Sequence, residues 1–258
     1  VWEYLNMAFP PHLPPIKHVV INSSADNQLG LRTGISATVI PNVMDFDEPP
    51  GPSDDFASDF RDSIGLSSDD ILILQPTRIV QRKGIEHAIQ LVEELDDSRC
   101  KLVISHEAGD EGLEYAEWLK EYACEHGVDL RLVSIRIADP FSKNGNGKKT
   151  YSLWDVYPYA DFITYPSLYE GFGNAFLEAI YYCRPIVVNT YSIYTMDIKP
   201  KGFSVIEMDG YVTNETVRRT RAVLTDPELR SKMVKHNYET AQKYYSYSVL
   251  RNKLKNLI

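Results

Sequence analysis

The stretch Ser167-Leu168-Tyr169-Glu170-Gly171-Phe172-Gly173-Asn174-Ala175-Phe176-Leu177-Glu178 decides how this chain is read. It sets two carboxylates, Glu170 and Glu178, eight positions apart around a Gly-Phe-Gly turn. Residues 161–165, just upstream, are strand-like, and residues 174–183, just downstream, have the character of a helix. A strand that ends in a glycine turn and feeds a helix N-terminus gathers backbone N–H groups onto an anion such as a diphosphate. Glu170 falls before the turn and Glu178 about one helical turn into the helix, so the two carboxylates bracket whatever the turn binds.

Outward from this stretch, strand and helix patterns alternate. Residues 71–74 predict a strand, 84–95 a helix and 100–105 a strand. Residues 111–127 have helical period, with Leu113, Ala116, Leu119 and Ala123 on one face. A strand over 130–135, a polar loop over 142–149, a helix over 151–159 and a strand over 185–189 complete the unit. Alternation at this spacing implies an α/β fold: a Rossmann-like parallel sheet with helices on both faces. On the N-terminal side, 18–22 is a short apolar run. Residues 23–34 read as a helix begun by Ser24 and stopped near Gly34, and 37–40 are β-branched. Residues 43–70 are rich in Pro, Gly, Ser and Asp without periodicity, and read as a linker with at most a short helix. Residues 214–258 are amphipathic helices broken at Thr225-Asp226-Pro227. There is no internal repeat.

Composition narrows the function classes. With 258 residues, 43% hydrophobic and 24% charged, the chain has the make-up of a globular enzyme piece with a real core. A net charge of −9 argues against nucleic acid as the main partner, since phosphate-backbone binding needs clustered Lys and Arg. A small phosphorylated ligand needs only two or three local cations and is not excluded. Cys100, Cys124 and Cys183 have no disulfide-like spacing and read as reduced, buried packing residues of a cytoplasmic protein. No run approaches the roughly 18 apolar residues of a membrane span. The opening Val1-Trp2-Glu3-Tyr4 lacks both a signal-peptide pattern and an initiator Met, so the chain reads as a fragment or processed form. His, Cys and Asp positions show no metal-ligand spacing.

The Glu-x7-Glu spacing inside Tyr-Glu-Gly-Phe-Gly resembles that of the retaining GT-B glycosyltransferases of family 4. In that fold two Rossmann-like domains face each other over a cleft, and the C-terminal one holds the nucleotide-sugar donor. The resemblance covers nearly the whole chain. Residues 1–44 look like the end of the N-terminal, acceptor-side domain, with Thr38-Val39-Ile40-Pro41-Asn42 matching the family's Val-Ile-Pro-Asn signal. Residues 45–66 would be the linker and 67–240 the donor-binding domain. Residues 241–258 would form the terminal helix that crosses back toward the N-terminal domain. Gln75-Pro76-Thr77-Arg78-Ile79-Val80-Gln81-Arg82-Lys83-Gly84 is similar to the family's Gly-Arg-Leu-x-x-Arg-Lys-Gly loop. That likeness implies a donor-diphosphate role for Arg78 and Lys83, whose fixed charge would stabilise the departing nucleoside diphosphate without a metal. Arg82 is expected to face solvent or the linker.

The same resemblance implies that Glu178 accepts hydrogen bonds from the ribose hydroxyls, bidentately, and that Glu170 stands beside the transferred sugar. The N–H groups around Gly173, Asn174 and Ala175 would cradle the diphosphate and sugar, while Phe172 shapes the turn. Glu170, Arg78 and Lys83 are the candidate catalytic residues. Arg136 and Ile137 align with the segment near the nucleotide base. Plainer readings remain for each group: basics on an exposed strand–helix loop, a Glu178 that complements the helix dipole, or an acid/base carboxylate pair as in glycosidases.

Departures from the family pattern leave sugar and base identity open. Ser105-His106-Glu107-Ala108-Gly109-Asp110 stands where relatives carry a glycine-rich loop, and Cys183 where Gly is common. His106 could approach the ligand. Of the many tyrosines, Tyr165 and Tyr169, beside the motif, are the two that could touch sugar; the rest read as core. The resemblance implies a retaining, metal-independent hexosyltransferase that takes a UDP- or GDP-sugar, with no cofactor. The acceptor would be a carbohydrate, a lipid or, from the wording Ile-Pro-Asn-Val-Met-Asp-Phe-Asp, a small glycerate-type molecule. The expected location is cytoplasmic, with a membrane-peripheral placement left open. A nucleotide-sugar epimerase of the same fold and a donor-binding module without turnover are the rival readings.

Overall fold

In the computed structural model the described residues are 16–51, 55–106, 108, 113–133 and 149–257. Six parallel strands form the main sheet: β3 (Ile71–Gln75), β4 (Cys100–Ile104), β5 (Leu130–Leu132), β6 (Phe162–Tyr165), β7 (Ile186–Asn189) and β8 (Ile206–Met208). They are ordered β5-β4-β3-β6-β7-β8. In the inner strands β3, β4, β6 and β7, alternate residues enter opposite layers, as a pleated strand requires. Leu72, Leu74, Ile163, Ile186 and Val188 join one apolar cluster; Ile73, Leu102, Phe162 and Val187 join the other. Both faces are therefore covered, which is why these strands read as continuous apolar runs.

Helices supply those covers. β1 (Val19–Val20), α1 (Ser23–Thr33) and β2 (Thr38–Val39) precede the sheet, and α2 (Phe60–Ser63) is a single short turn. Then come α3 (Ile85–Leu95), α4 (Leu113–Glu125), α5 (Leu153–Val156), α6 (Asn174–Tyr181), α7 (Asn214–Thr225), α8 (Pro227–Tyr245) and α9 (Tyr247–Lys255). In α3 the residues Ile85, Ala88, Ile89, Val92 and Leu95 form one buried stripe. Asp226 caps α8 by accepting from the amides of Glu228 and Leu229, with Pro227 at the first helical position. α1 starts at Asn22 rather than Ser24, because the Asn22 carboxamide accepts from the Ala25 amide at 2.7 Å. Gly34, at φ 71°, ends it.

β1 and β2 pair in parallel as a separate two-stranded sheet. Residues 43–70, without periodicity, carry Phe46 and Phe60, both fully buried in the larger apolar cluster. Arg61 fastens this stretch by donating to the Tyr159 carbonyl at 3.2 Å and pairing with Asp161 at 3.3 Å. At the other end, Met44 N–H donates to the Tyr245 carbonyl at 3.0 Å and Lys253 donates to the Val39 carbonyl at 3.1 Å. The last two helices therefore pack back onto residues 39–47.

Two features depart from the sequence reading. The edge strand β8 has only three residues and no periodic signal of its own. Cys124 is exposed, whereas Cys100 is buried and Cys183 half-buried. Cys124 follows the buried Ala123, and one helical step of about 100° turns it out of the core.

Candidate functional site

The strand order reverses at β3. β4 and β5 extend to one side, and the chain then returns to add β6, β7 and β8 on the other. At such a switch point the loops leaving the two central strands diverge, and a crevice opens at their carboxyl ends. Those loops are 76–84, after β3, and 166–173, after β6. Residues more than 80 positions apart are thus brought together.

The two loops are fastened to each other. Leu168 N–H donates to the Arg82 carbonyl at 2.9 Å. Gly84 sits at φ 60°, and a Cβ there would come within 2.6 Å of the Pro166 carbonyl oxygen, so the loops touch backbone to backbone. Beneath them, buried Gln75 donates to Thr77 Oγ1 at 2.8 Å and accepts from Thr164 Oγ1 at 2.6 Å. This satisfied polar network sets the direction in which the first loop leaves the sheet.

Lys83 Nζ pairs with Glu170 Oε1, and both side chains are about 90% buried. Burial holds the Lys83 ammonium below the usual lysine range, and the Glu170 carboxylate opposes that shift. Arg82 does not face solvent alone, as the sequence suggests. Its Nη1 donates to the Tyr169 carbonyl at 3.1 Å and lies 3.5 Å from Glu170 Oε2. Arg78 is exposed and, among the described residues, has no ion-pair partner.

A cleft of about 480 Å³ opens over these groups. Thr77, Arg78, Lys83, His106, Glu170 and Glu178 line it, together with the turn Gly171–Gly173 and the first residues of α6, Asn174 and Ala175. No side chain caps α6 at Gly173, which leaves that N-terminus open to an anion. Gly173 has φ 115°, and a Cβ on it would lie 2.3 Å from Tyr191 Oη. That hydroxyl donates to the Phe172 carbonyl at 2.9 Å and so holds the turn in shape. Asn22 and Asn42, from the N-terminal segment, also reach the turn: Asn22 Nδ2 donates to the Gly171 carbonyl at 2.6 Å and Asn42 Nδ2 to Asn174 Oδ1 at 2.5 Å.

Glu178 points between two clefts. It also lines a neighbouring one of about 580 Å³, walled by Trp154, Leu177, Tyr181 and Tyr247. Tyr157 donates to Glu178 Oε2 at 2.8 Å. Burial pushes the Glu178 carboxyl above the usual glutamate range, and the Tyr157 hydroxyl partly counters it. The arrangement can bind a charged ligand with cations and amides at one end and a carboxylate acceptor at the other.

Seven sequence-predicted residues therefore share one cleft: Arg78, Lys83, Glu170, Gly173, Asn174, Ala175 and Glu178. Arg136 and Ile137 lie outside the described residues. Tyr165 is buried in the cleft wall, with Lys83 Nζ 5.9 Å from its ring centre, whereas Tyr169 is exposed. Phe172 is buried, edge-on to Tyr245. Sequence reasoning missed Tyr157 and the role of Arg82, and neither has a local signal. Among the described residues no group of three or more His, Cys, Asp or Glu is placed to hold a metal ion. No helix there is long and apolar enough to cross a membrane.

No family model matches the chain. It is 34% identical to mannosylglucosylglycerate synthase of Thermotoga maritima, over 97% of this chain and 63% of that protein. It is 38% identical to mannosylglucosylglycerate synthase of Petrotoga mobilis, over 80% of this chain and 52% of that protein. The chain thus spans between half and two thirds of the length of these two relatives. Among solved structures, Anabaena HepE in complex with UDP and glucose superposes with a TM-score of 0.73 at 12% identity, covering 92% of this chain and 61% of HepE. The fold is that of the GT-B glycosyltransferases, to which its relatives and structural neighbours belong.

Proposed function

We propose that this chain, folded like the donor-side half of a GT-B enzyme, is the donor-binding part of a retaining, metal-independent hexosyltransferase. It takes a hexose from a nucleoside-diphosphate sugar, a UDP- or GDP-sugar, and passes it to an acceptor hydroxyl. One observation carries the reading: Arg78, Lys83, Glu170, Glu178 and the uncapped start of α6 converge on a single cleft at the switch point of a parallel sheet. The sequence relatives named mannosylglucosylglycerate synthase support a hexose transfer, and the glycerate in that name supports a small glycerate-type acceptor.

Each group then has a task. The amides at the start of α6 and the exposed Arg78 guanidinium bind the diphosphate, Arg78 through its planar fork. Lys83 neutralises Glu170 while the cleft holds no anion, since a buried ammonium needs a partner. An incoming diphosphate competes for Lys83 and releases Glu170 to accept from the sugar hydroxyls, with Arg82 still holding its loop. Glu178 accepts from the ribose hydroxyls. As the sugar leaves, negative charge grows on the diphosphate, and fixed cations already in place stabilise it. Departure and attack on one face give retention, with a phosphate oxygen taking the acceptor proton. Residues 1–44 serve as the end of the acceptor-side domain, 45–66 as linker, 67–240 as donor domain and 241–258 as the returning helix.

Calorimetric titration with UDP, GDP, ADP and their hexose conjugates, without and then with magnesium, tests this. One nucleotide should bind, unaffected by magnesium, and Arg78→Ala and Glu178→Ala should each weaken it at least tenfold. Unchanged affinity in both variants refutes the assignment. Conversion of the nucleotide sugar without an acceptor would mark an epimerase instead.

A further inference from the structure

The chemistry assigned above to the cleft leaves one of its buried contacts unused. Tyr157 occupies the helical turn Tyr157–Tyr159 that follows α5, and its ring is 1% exposed. The ring lies flat against Tyr182, with centres 5.3 Å apart and planes 3° from parallel. α5 in turn is fixed by reciprocal bonds between Ser152 and Asp155. The phenol is therefore held from two sides, and its hydroxyl ends 2.8 Å from Glu178 Oε2. A buried tyrosine hydroxyl requires an acceptor. Here that acceptor is the carboxylate that forms the wall shared by both clefts.

We propose that Tyr157 is a positioning residue for Glu178: it engages Oε2 and so aims the carboxylate at the vicinal hydroxyls of a ribonucleoside diphosphate. The proposal rests on the donor-binding reading above and adds to it the device that gives selectivity for ribose over deoxyribose. A free Glu178 would sample several rotamers over two adjoining clefts. A Glu178 tied at one oxygen keeps Oε1, which has no partner among the described residues, for the ligand. A carboxylate offers about four lone-pair positions, so the phenol occupies one and leaves the rest.

The hydroxyl also sets the charge of the group. Burial disfavours the ionised carboxylate, and the Tyr157 bond works against burial. Tyr157 and Tyr182 face Glu178 from the protein side. Asp45, Arg78, Lys83, His106 and Glu170 face it across the two clefts. Without the hydroxyl, protonation of Glu178 moves to higher pH, and binding that needs the ionised form fails sooner as pH falls.

The test uses Tyr157→Phe in the full chain, which keeps the ring on Tyr182 and removes only the hydroxyl. Dissociation constants are measured for UDP and GDP and for their 2′-deoxy counterparts. For the ribonucleotide that wild type binds, Tyr157→Phe should weaken affinity about tenfold and leave the deoxy form within twofold. Its affinity should also begin to fall at a higher pH. In a Glu178→Gln background the same substitution should cost nothing further. A ribose-to-deoxyribose ratio equal to that of wild type overturns the proposal while leaving the donor site intact. Carbon-13 titration of the Glu178 carboxyl gives a readout that needs no ligand. An upward shift in Tyr157→Phe supports the proposal, and identical curves overturn it. If wild type binds no nucleotide, the donor reading fails on its own, and this titration still decides whether Tyr157 governs Glu178.

Discussion

Gly173→Ala should be among the most costly single-methyl additions available in the site, and its cost can be worked from the geometry. The backbone at Gly173 has φ 115°, so any L side chain there is strained, by about 1–3 kcal/mol. The new Cβ would also stand 2.3 Å from Tyr191 Oη, against an ordinary contact of 3.4 Å. The hydroxyl would have to retreat by about 1.1 Å, which breaks its 2.9 Å bond to the Phe172 carbonyl. A buried carbonyl left without its donor costs about 1–3 kcal/mol more. The expected loss is about 4 kcal/mol in total, read by urea unfolding followed by both tryptophan fluorescence and circular dichroism. Tyr191→Phe alone should cost about 1 kcal/mol. It removes the clashing oxygen, leaving the ring carbon Cζ and the Tyr165 hydroxyl oxygen, both at 3.4 Å. The double variant should therefore be about 2 kcal/mol more stable than the sum of the two single effects predicts. Strict additivity would show that Tyr191 does not press on the turn. A loss below about 0.5 kcal/mol in Gly173→Ala would refute the geometry of the turn itself.

Three further outcomes follow from other sites. Glu178 has its carboxyl raised by burial, so the stability it contributes is complete below the ordinary value of 4.5 and is lost as pH climbs through the raised folded value. Glu178→Gln should thus raise the melting temperature at pH 7, with the gain disappearing below pH 4.5, while weakening ribonucleotide binding at least tenfold; destabilisation at pH 7 would contradict this. Asp129 is held below the usual aspartate range first by its bonds from Arg131 and is then opposed by burial. Its contribution is present above 3.8 and lost as pH falls through the depressed folded value, so Asp129→Asn should flatten the acid limb of the stability–pH curve and leave neutral stability lower. Cys183 adopts φ 52° directly after α6, a conformation that favours glycine; Cys183→Gly should stabilise the chain by about 0.5–1 kcal/mol, and a lowered urea midpoint would show that its half-buried sulfur matters more.

Much of the site was legible because its parts are local. Gly84 and Gly173 mark turns whose backbone needs the left-handed region, and each stands directly before a helix that the 3.6-residue pattern reveals. Arg78, Lys83, Glu170 and Glu178 flank those turns in sequence, so their gathering into one cleft agrees with a reading made from short strings. The strands β3, β4, β6 and β7 were legible for the same kind of reason: both faces are buried, and the chain can show that only as an unbroken apolar run. The stretch 43–70 was harder. Phe46 and Phe60 enter the core singly, from irregular backbone, and a lone aromatic among Pro, Gly and Asp carries no period. β8 is too short to carry one. Cys124 misled because apolar neighbours along the chain are not neighbours around a helix.

By itself, then, the sequence determined the alternation of strands and helices, the two glycine turns and the charged residues beside them, since each depends on interactions within about ten residues. The tertiary structure decided which of those residues meet. Adjacency of β3 and β6 at the sheet's switch point pairs Lys83 with Glu170 and brings Arg82 onto the Glu170 loop. The packing of the Tyr157 turn against α6 puts a phenol on Glu178. Contacts of that kind arise from strand order and layer packing, in which residues tens of positions apart are pressed together by the burial of other side chains, and no local pattern encodes them.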